Sequence, residues 1–451
     1  MTIGIIGAGI SGLTLAYELQ RRGIGYYIWE ASTQPGGYIR SQRDAGSDHQ
    51  QTYLRELGPN SLLGDADLLL WLDELGLTPQ LTFSKPVSKD RYIFRDSHYR
   101  RLPSGPPSLL FGSFFSWKTK LAILQERSNK TISPPGETLA QFFRRRFTTE
   151  IVDYALAPFV AGIYAGDPER LLVSETFPVL LRYERDYGSV LRGLIKNQST
   201  AGRRQSFSFR DGMQTLPNAL AAQLTHLSLN DPVEYIGRVG TNSWLVKSAT
   251  GTQTVDRLVL AVGTDAAARL VSHTDLSERY APLAEALRRV EYPSMTVVHS
   301  AYKRADVQHP LNGFGGLNPR QEGRFAAGHI WSSSIFDGRC PDDEVLFTTF
   351  VGGAGGAETN ARKPDNIVFG HIHQELAHAF GIRAIEPVFR AIYRWERAIP
   401  QYNEHIVAVK DQVELVETDN LFVCANWYGG LSLSDCIGKA RSFAGKLSPI
   451  P

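Results

Sequence analysis

The stretch that most limits what this chain can become is Gly7-Ala8-Gly9-Ile10-Ser11-Gly12. An apolar run, Thr2 to Ile6, leads into it, and Leu13 to Arg22 follows with helical spacing. Tyr26 to Trp29 is a second apolar run, and it ends at Glu30. Strand, glycine turn, helix, strand and acid in this order form the βαβ unit that grips a dinucleotide. Gly7 permits the tight turn, Gly9 lets the backbone approach a pyrophosphate, and Gly12 lets the helix pack closely on the strand. Ala8, Ile10 and Ser11 complete the loop, and the helix N-terminus turns its free N–H groups and positive dipole end toward the phosphates. Glu30, with Ala31 beside it, is placed to accept hydrogen bonds from a ribose hydroxyl pair.

A second glycine pair decides which dinucleotide is expected. Gly36-Gly37-Tyr38-Ile39-Arg40 lets the backbone pass close to a second phosphate and its sugar chain, and Arg40 adds positive charge. NAD enzymes do not need this pair and two-nucleotide flavin proteins commonly carry it, so FAD is the expected cofactor. Leu57-Gly58-Pro59 is a rigid turn able to face a ligand, followed by Asn60 and Ser61. At the far end of the chain, Gly429-Gly430-Leu431-Ser432-Leu433 precedes a helix, a second place where N–H groups converge near a flavin. A capped helix, with Ser434 or Asp435 as the cap, reads equally well there.

At 451 residues, two or three domains are expected. Hydrophobic content of 42% and charged content of 21% are those of a globular protein, and a net charge of +2 gives no field that would call for nucleic acid. Cys340, Cys424 and Cys436 are too widely spaced for a disulfide framework or zinc site, so no metal is expected. No signal peptide or membrane span is read from the sequence. The expected location is the cytoplasm or the cytoplasmic side of a membrane.

The middle of the chain carries fewer signals. Asp65 to Leu75 reads as an amphipathic helix, and Lys89 to Leu102 as a hairpin. Arg91 in that hairpin reads either as a surface charge or as a group facing a bound carboxylate. Phe111, Phe114, Phe115 and Trp117 beside Lys118 and Lys120 suit either a membrane interface or a core segment under a loop. Residues 117–194 are mainly helical, with Arg144-Arg145-Arg146 as the solvated basic edge of one helix. Phe207 to Phe209 and Val233 to Ile236 are strands, and Arg257 to Val262 returns the chain to the first parallel sheet. Met295–Tyr302, Gly328–Ser332 and Val345–Val351 are further strands, and 365–380 is a helix.

In several segments the chain resembles the protoporphyrinogen oxidase family of FAD-containing, amine-oxidase-like flavoproteins. They are Leu57-Gly58-Pro59-Asn60-Ser61, Gly162-Ile163-Tyr164-Ala165-Gly166-Asp167, Tyr187-Gly188-Ser189, Gly212-Met213-Gln214-Thr215-Leu216-Pro217, Gly313-Phe314-Gly315 through Leu317, Ser332-Ser333-Ser334, Ile399-Pro400-Gln401-Tyr402 and Asp435-Cys436-Ile437. The resemblance implies an α/β fold in three parts. A discontinuous Rossmann-like FAD domain would take 1–85, 200–264 and 391–451. A helical membrane-associating insert would take 86–199, and a mixed-sheet substrate domain 265–390 with parts of 50–100. It implies a porphyrinogen substrate, protoporphyrinogen IX, oxidised with molecular oxygen as terminal acceptor and hydrogen peroxide as product, late in haem biosynthesis. Peripheral membrane contact is implied, and a homodimer is left open.

The resemblance also assigns residues. Arg91 would face a substrate propionate, Gly162 would line the cavity through its backbone, and Phe314 and Leu317 would sandwich the tetrapyrrole. Ile330 and Phe350 would add apolar wall. Val233 would meet the adenine, and Trp395 would lie near the flavin. No side chain is singled out as catalytic, because the flavin N5 accepts the hydride. Ala161 and Asn60 stand where some relatives carry arginine, and Tyr38 where tryptophan or arginine is common, so propionate binding leans on Arg91. Three other readings remain: the coproporphyrinogen-oxidising branch, an amine or carotenoid oxidoreductase on the same fold, and a flavin-binding partner protein without catalysis.

Overall fold

The apolar run Thr2–Ile6 is the middle strand of a five-stranded parallel sheet. The computed structural model describes residues 1–46, 52–197, 204–240, 242–354 and 358–447. The sheet order is Leu227–Ser228, Gly25–Trp29, Thr2–Ile6, Arg257–Leu260, Leu421–Val423. Its strands come from the start, middle and end of the chain, so FAD-side structure is assembled from distant segments. The helix Ile10–Arg21 packs in one apolar cluster with the last helix, Leu433–Leu447. Leu13, Leu15 and Leu19 meet Cys436, Ile437, Ala440 and Ala444 there. Both termini therefore share a core.

A seven-stranded mixed sheet forms the second layer, in the order Phe389–Trp395, Met295–Lys303, Glu344–Gly352, Gly328–Trp331, Gly315–Leu317, Arg91–Arg95, His98–Arg101. The 91–101 hairpin belongs to this sheet, in keeping with a substrate domain that takes parts of 50–100, although the same residues also fall inside the expected 86–199 insert. One of its strands crosses a domain limit expected from the sequence. The strand Phe389–Trp395 lies beside Met295–Lys303, so the limit at 391 cuts through a strand. The helix Asp365–Phe380 covers the outer face. Val368, Ile372, Leu376 and Phe380 recur every four residues and are buried against Val298, Phe347 and Val351. Gly381, at φ +62°, ends this helix in the left-handed conformation.

The helices between Pro106 and Asn197 form the insert. Their basic run departs from the expected solvated edge. Arg144 pairs with Glu169 at the surface, and Arg145 reaches Glu137 (2.7 Å) and Glu184 (2.8 Å). Arg146 is fully buried, and its guanidinium lies 2.6 Å from both Glu126 and Glu184. Three acids from three segments converge on one helix end, which a local reading of charge cannot foresee. Glu126 also accepts from Ser189 Oγ (2.6 Å) and Val190 N (2.9 Å), tying in the start of the helix Val190–Asn197. Replacing Arg146 with Met should leave Glu126 and Glu184 short of their buried partner. A loss of about 3–5 kcal/mol in urea unfolding is expected, against under ~1 kcal/mol for Arg144→Met at the surface.

Candidate active site

The first glycine turn has the geometry of a phosphate cradle. Gly7 holds φ +106°, and its N–H donates to Trp29 O at 2.7 Å. A Cβ on Gly12 would run into the Gly7 carbonyl oxygen, so the first helix sits directly on the turn. Gly9 differs: its backbone is ordinary (φ −69°, ψ 176°), and a Cβ there would meet no protein atom within 4 Å. The protein leaves the space over Gly9 open at the N-terminus of a helix, which is what a diphosphate requires. Gly36 bridges to Gly9, and Gly37 lies against it, so the two glycine pairs form one channel.

Glu30 is held ready at one end of this channel. Its carboxylate accepts from Ala8 N (2.8 Å), Ser32 N (2.9 Å) and Ser32 Oγ (2.7 Å). These bonds use most of its acceptor capacity, so a ribose hydroxyl pair placed here would compete with Ser32 for it. Asp231 N donates to Glu30 O and Asn230 N to Ser32 O, which ties the segment leading into the strand Val233–Val239 to Glu30. Ala8, Gly12 and Ile39 are buried, and the Ile39 side chain belongs to the core, so it faces a ligand through its backbone alone.

At the other end of the channel, Gly58 lies against the Tyr38 carbonyl, and Trp395 Nε1 donates to Leu57 O at 2.6 Å. The Tyr38 and Trp395 rings stand 5.1 Å apart, with the Arg40 guanidinium 5.7 Å over Trp395. Tyr38 donates to Arg397 O at 2.9 Å, and burial raises its phenol pKa. Tyr38, Arg40, Gly58, Pro59 and Trp395 thus form one cluster. At the C-terminal helix the cap is Ser432. Its Oγ accepts from Asp435 N (3.1 Å), and Asp435 accepts from Ser432 N (3.2 Å). This reciprocal pair replaces the cap expected at Ser434 or Asp435. Gly429 and Gly430, at φ +80° and +120°, turn the chain into it.

The second sheet supplies a floor. Strand register puts Arg91, Gly315, Ile330, Thr348, His299 and Ala391 in one row across it. The next row is Ile93, Leu317, Gly328, Phe350, Val297 and Tyr393. Side chains alternate along a strand, so both rows share one face. Four of the sequence-derived substrate residues, Arg91, Leu317, Ile330 and Phe350, therefore lie on that face, and Trp395 joins them opposite Met295. Gly162 meets the floor from above, since a Cβ there would lie 3.3 Å from Leu317. Phe314 lies under Arg91, whose guanidinium is 4.4 Å from the ring centre. Arg91 has no acid partner among the described residues, and partial burial lowers its pKa.

A small cavity joins the two halves. It is lined by Asn60 and Ser61 from the cofactor side, by Phe314, Ile330 and Thr348 from the floor, and by Glu56 and Arg339. Sequence reasoning gave Glu56, Arg339 and Thr348 no role. Glu56 stands just before the Leu57-Gly58-Pro59 turn, but Arg339 meets it only through the fold. His299 is likewise invisible from sequence. It is fully buried in the floor, and burial takes its pKa to about 3, so the ring stays neutral.

A family model described as flavin-containing amine oxidoreductase matches residues 10–446, and the chain belongs to that family. It is an FAD-dependent oxidoreductase, and the open space over Gly9 at a helix N-terminus is chemically suited to the diphosphate of that cofactor. Among curated proteins it is 33% identical to the mitochondrial protoporphyrinogen oxidase of Nicotiana tabacum, covering 98% of this chain and 92% of that one. It is 30% identical to protoporphyrinogen oxidase 2 of Arabidopsis thaliana, covering 96% and 91%. A solved structure from Exiguobacterium superposes with a TM-score of 0.78 at 21% identity, over 99% of this chain and 98% of that one, which is a likeness of fold.

Gly9 and Gly12 should separate folding from cofactor binding. Gly9→Val should fold with the apoprotein's unchanged melting temperature yet lose FAD, read as absorbance near the flavin bands after gel filtration. Gly12→Val should fail in folding itself, because its side chain meets the Gly7 carbonyl.

Proposed function

We propose that this enzyme oxidises protoporphyrinogen IX to protoporphyrin IX, with FAD as hydride acceptor and molecular oxygen as terminal acceptor, giving hydrogen peroxide. The observation that carries this reading is Arg91, an arginine without an acid partner stacked on Phe314 at the rim of an apolar floor. A flat macrocycle with carboxylate arms needs that combination: wide apolar contact and one charge anchor. In this reading Arg91 holds a propionate, Phe314 and Leu317 clamp the ring, and Ile330, Phe350 and the Gly162 backbone close the wall. Val233 meets the adenine, and Trp395 lies beside the flavin. The relatives' names support the same substrate class.

The chemistry asks little of side chains as reagents. FAD, when bound, supplies the two-electron acceptor. The chain's residues hold the macrocycle flat against the cofactor face and keep water away. Phe114 and Phe115 contribute to that closure. Both are buried and pack with Ile93 and Leu317, so for this half of the aromatic segment the core alternative holds and it forms a roof over the floor. Phe111 and Trp117 are the other half, 88% and 78% exposed. Trp117, Leu121 and Leu124 recur on one face of the helix Trp117–Gln125, and the Lys120 ammonium lies 4.6 Å from the Trp117 ring centre. We read this stripe as the face that rests on a membrane surface. No helix among the described residues is long and apolar enough to cross one.

Anaerobic mixing with protoporphyrinogen should bleach the flavin absorbance, with coproporphyrinogen much slower. Bleaching by neither would end the proposal, and faster bleaching by coproporphyrinogen would move the enzyme to that branch. Arg91→Ala should raise KM roughly 10- to 100-fold with a smaller change in kcat, the usual worth of a charge-assisted hydrogen bond. Phe111→Ser with Trp117→Ser should release the protein from liposomes in a flotation assay while leaving turnover of detergent-dispersed substrate intact.

A further inference from the structure

Glu56 and Arg339 are the two ionisable side chains that border the cavity between the cofactor-side residues and the floor. Both are buried. The Glu56 carboxylate accepts from Ser41 Oγ at 2.6 Å, from Met213 N at 2.9 Å and from Arg339 Nη1 at 3.2 Å. Arg339 in turn donates to Ser208 Oγ at 2.6 Å. A buried acid and base that merely matched each other would be weak evidence of anything but structure. Their place is what distinguishes them. They border the cavity that Phe314 and Ile330 share with Asn60 and Ser61, where a porphyrinogen would meet the cofactor.

We propose that Glu56 is the proton acceptor of the oxidation, taking the pyrrole N–H proton as the hydride leaves carbon and giving it back when oxygen is reduced. The inference rests on the function proposed above. In each two-electron step a C–H bond breaks and its electron pair leaves with the hydride to the cofactor. A pyrrole N–H bond also breaks, and its electron pair becomes part of the new C=N bond of the macrocycle; after three such steps one proton moves within the macrocycle from the fourth bridging carbon to a nitrogen, which leaves the four methine bridges and two N–H groups of the porphyrin. The proton goes to the Glu56 carboxylate. Oxygen then takes the two electrons and the hydride's proton, and needs one more proton to leave as hydrogen peroxide. Glu56 holds that proton, so substrate plus oxygen gives product plus peroxide with no proton gained or lost.

The hydrogen bonds around Glu56 favour return over escape. Met213 N–H and Arg339 can only donate to Glu56, and the Ser41 hydroxyl, which could relay a proton, has no recorded acceptor beyond Glu56 among the described residues. Beyond Ser41 the next group is Gln214 N–H, also a donor, at 3.0 Å. Among the described residues no chain of acceptors leads from Glu56 to solvent, and a proton taken from the cavity goes back to it. Arg339 beside it favours the ionised carboxylate that a base requires. Burial raises the Glu56 pKa above the ordinary carboxylate value, opposed by Arg339, Ser41 and Met213 N–H, which makes it a stronger base. The other charges nearby are already matched. Arg55 pairs with Asp44 and Arg43 with Asp211, and His299 stays neutral.

The test follows anaerobic flavin bleaching by protoporphyrinogen in the FAD-loaded protein, in weak buffer with a pH-indicator dye. The wild type should bleach without releasing a proton to the medium. Its bleaching rate should be full at high pH and fall as pH drops through the raised Glu56 pKa. Glu56→Gln should bleach about 100-fold slower or more, lose that acidic limb, and release one proton per two-electron step. Glu56→Gln combined with Arg339→Met removes both buried charges, and serves where the single variant folds poorly. FAD content and porphyrin binding should match the wild type in the variant used. Prompt proton release by the wild type would overturn the assignment without any variant, and so would a variant with the wild-type rate and pH limb. A wild type that protoporphyrinogen does not bleach at all would instead end the function proposed above.

Discussion

The contact between Gly12 and the Gly7 carbonyl fixes the distances on which the rest of the molecule depends. It seats the first helix on the first turn, with its N-terminus aimed at the space over Gly9. The same helix is buried along its length and packs on the last helix of the chain. The C-terminal segment is drawn to the cofactor channel by that shared apolar surface. Arg257–Leu260 and Leu421–Val423 add to the same sheet and close it from the middle and the end of the sequence. A side chain at residue 12 would therefore move more than a loop, because each strand that returns to this sheet is registered against the turn.

The second sheet solves a different problem. A large apolar ligand needs a flat wall, and a sheet provides one when consecutive strands place like residues in the same rows. Here two rows do so, running from Arg91 and Ile93 at one side to Ala391 and Tyr393 at the other. The glycines in these rows, Gly315 and Gly328, have no side chain to raise above the floor. Opposite them the Gly162 segment and Phe114–Phe115 come down from the helical insert. The buried network around Arg146 keeps the insert's helices in one arrangement, so that roof and floor hold a fixed spacing.

Much of the cofactor channel was legible in the sequence because its signals are local. A glycine turn, a helix start and an acid lie within thirty residues of one another, and each has a backbone reason to be what it is. The strands with continuous apolar runs, such as Met295–Lys303 and Arg257–Leu260, were legible for the same reason. What the sequence hid was partnership across distance. Arg146 looked like a surface charge because Glu126 and Glu184 are twenty and thirty-eight residues away. Phe114 and Phe115 looked equivalent to Phe111 and Trp117, because nothing local says which aromatics find Ile93. Glu56 and Arg339 are separated by 283 residues, and no periodicity links them.

Arg339 lines the cavity and Arg91 stacks on Phe314, which lines it too, and their surroundings separate the work of the two arginines. Arg339 is buried, paired with Glu56 and hydrogen-bonded to Ser208, so its charge is matched before any ligand arrives. A carboxylate brought to it would have to displace Glu56 and leave that acid unpartnered in the interior, which is costly. Arg91 stands in the opposite state. It rests on an aromatic face, has no acid partner among the described residues, and keeps access to solvent. Its charge remains available to an anionic arm. The positive charge of Arg91 thus stands beside Phe314, while the Glu56–Arg339 pair that borders the cavity is neutralised. Under the proposed function, that asymmetry would orient an amphipathic macrocycle with its acid arms toward Arg91 and its oxidisable ring toward the cavity.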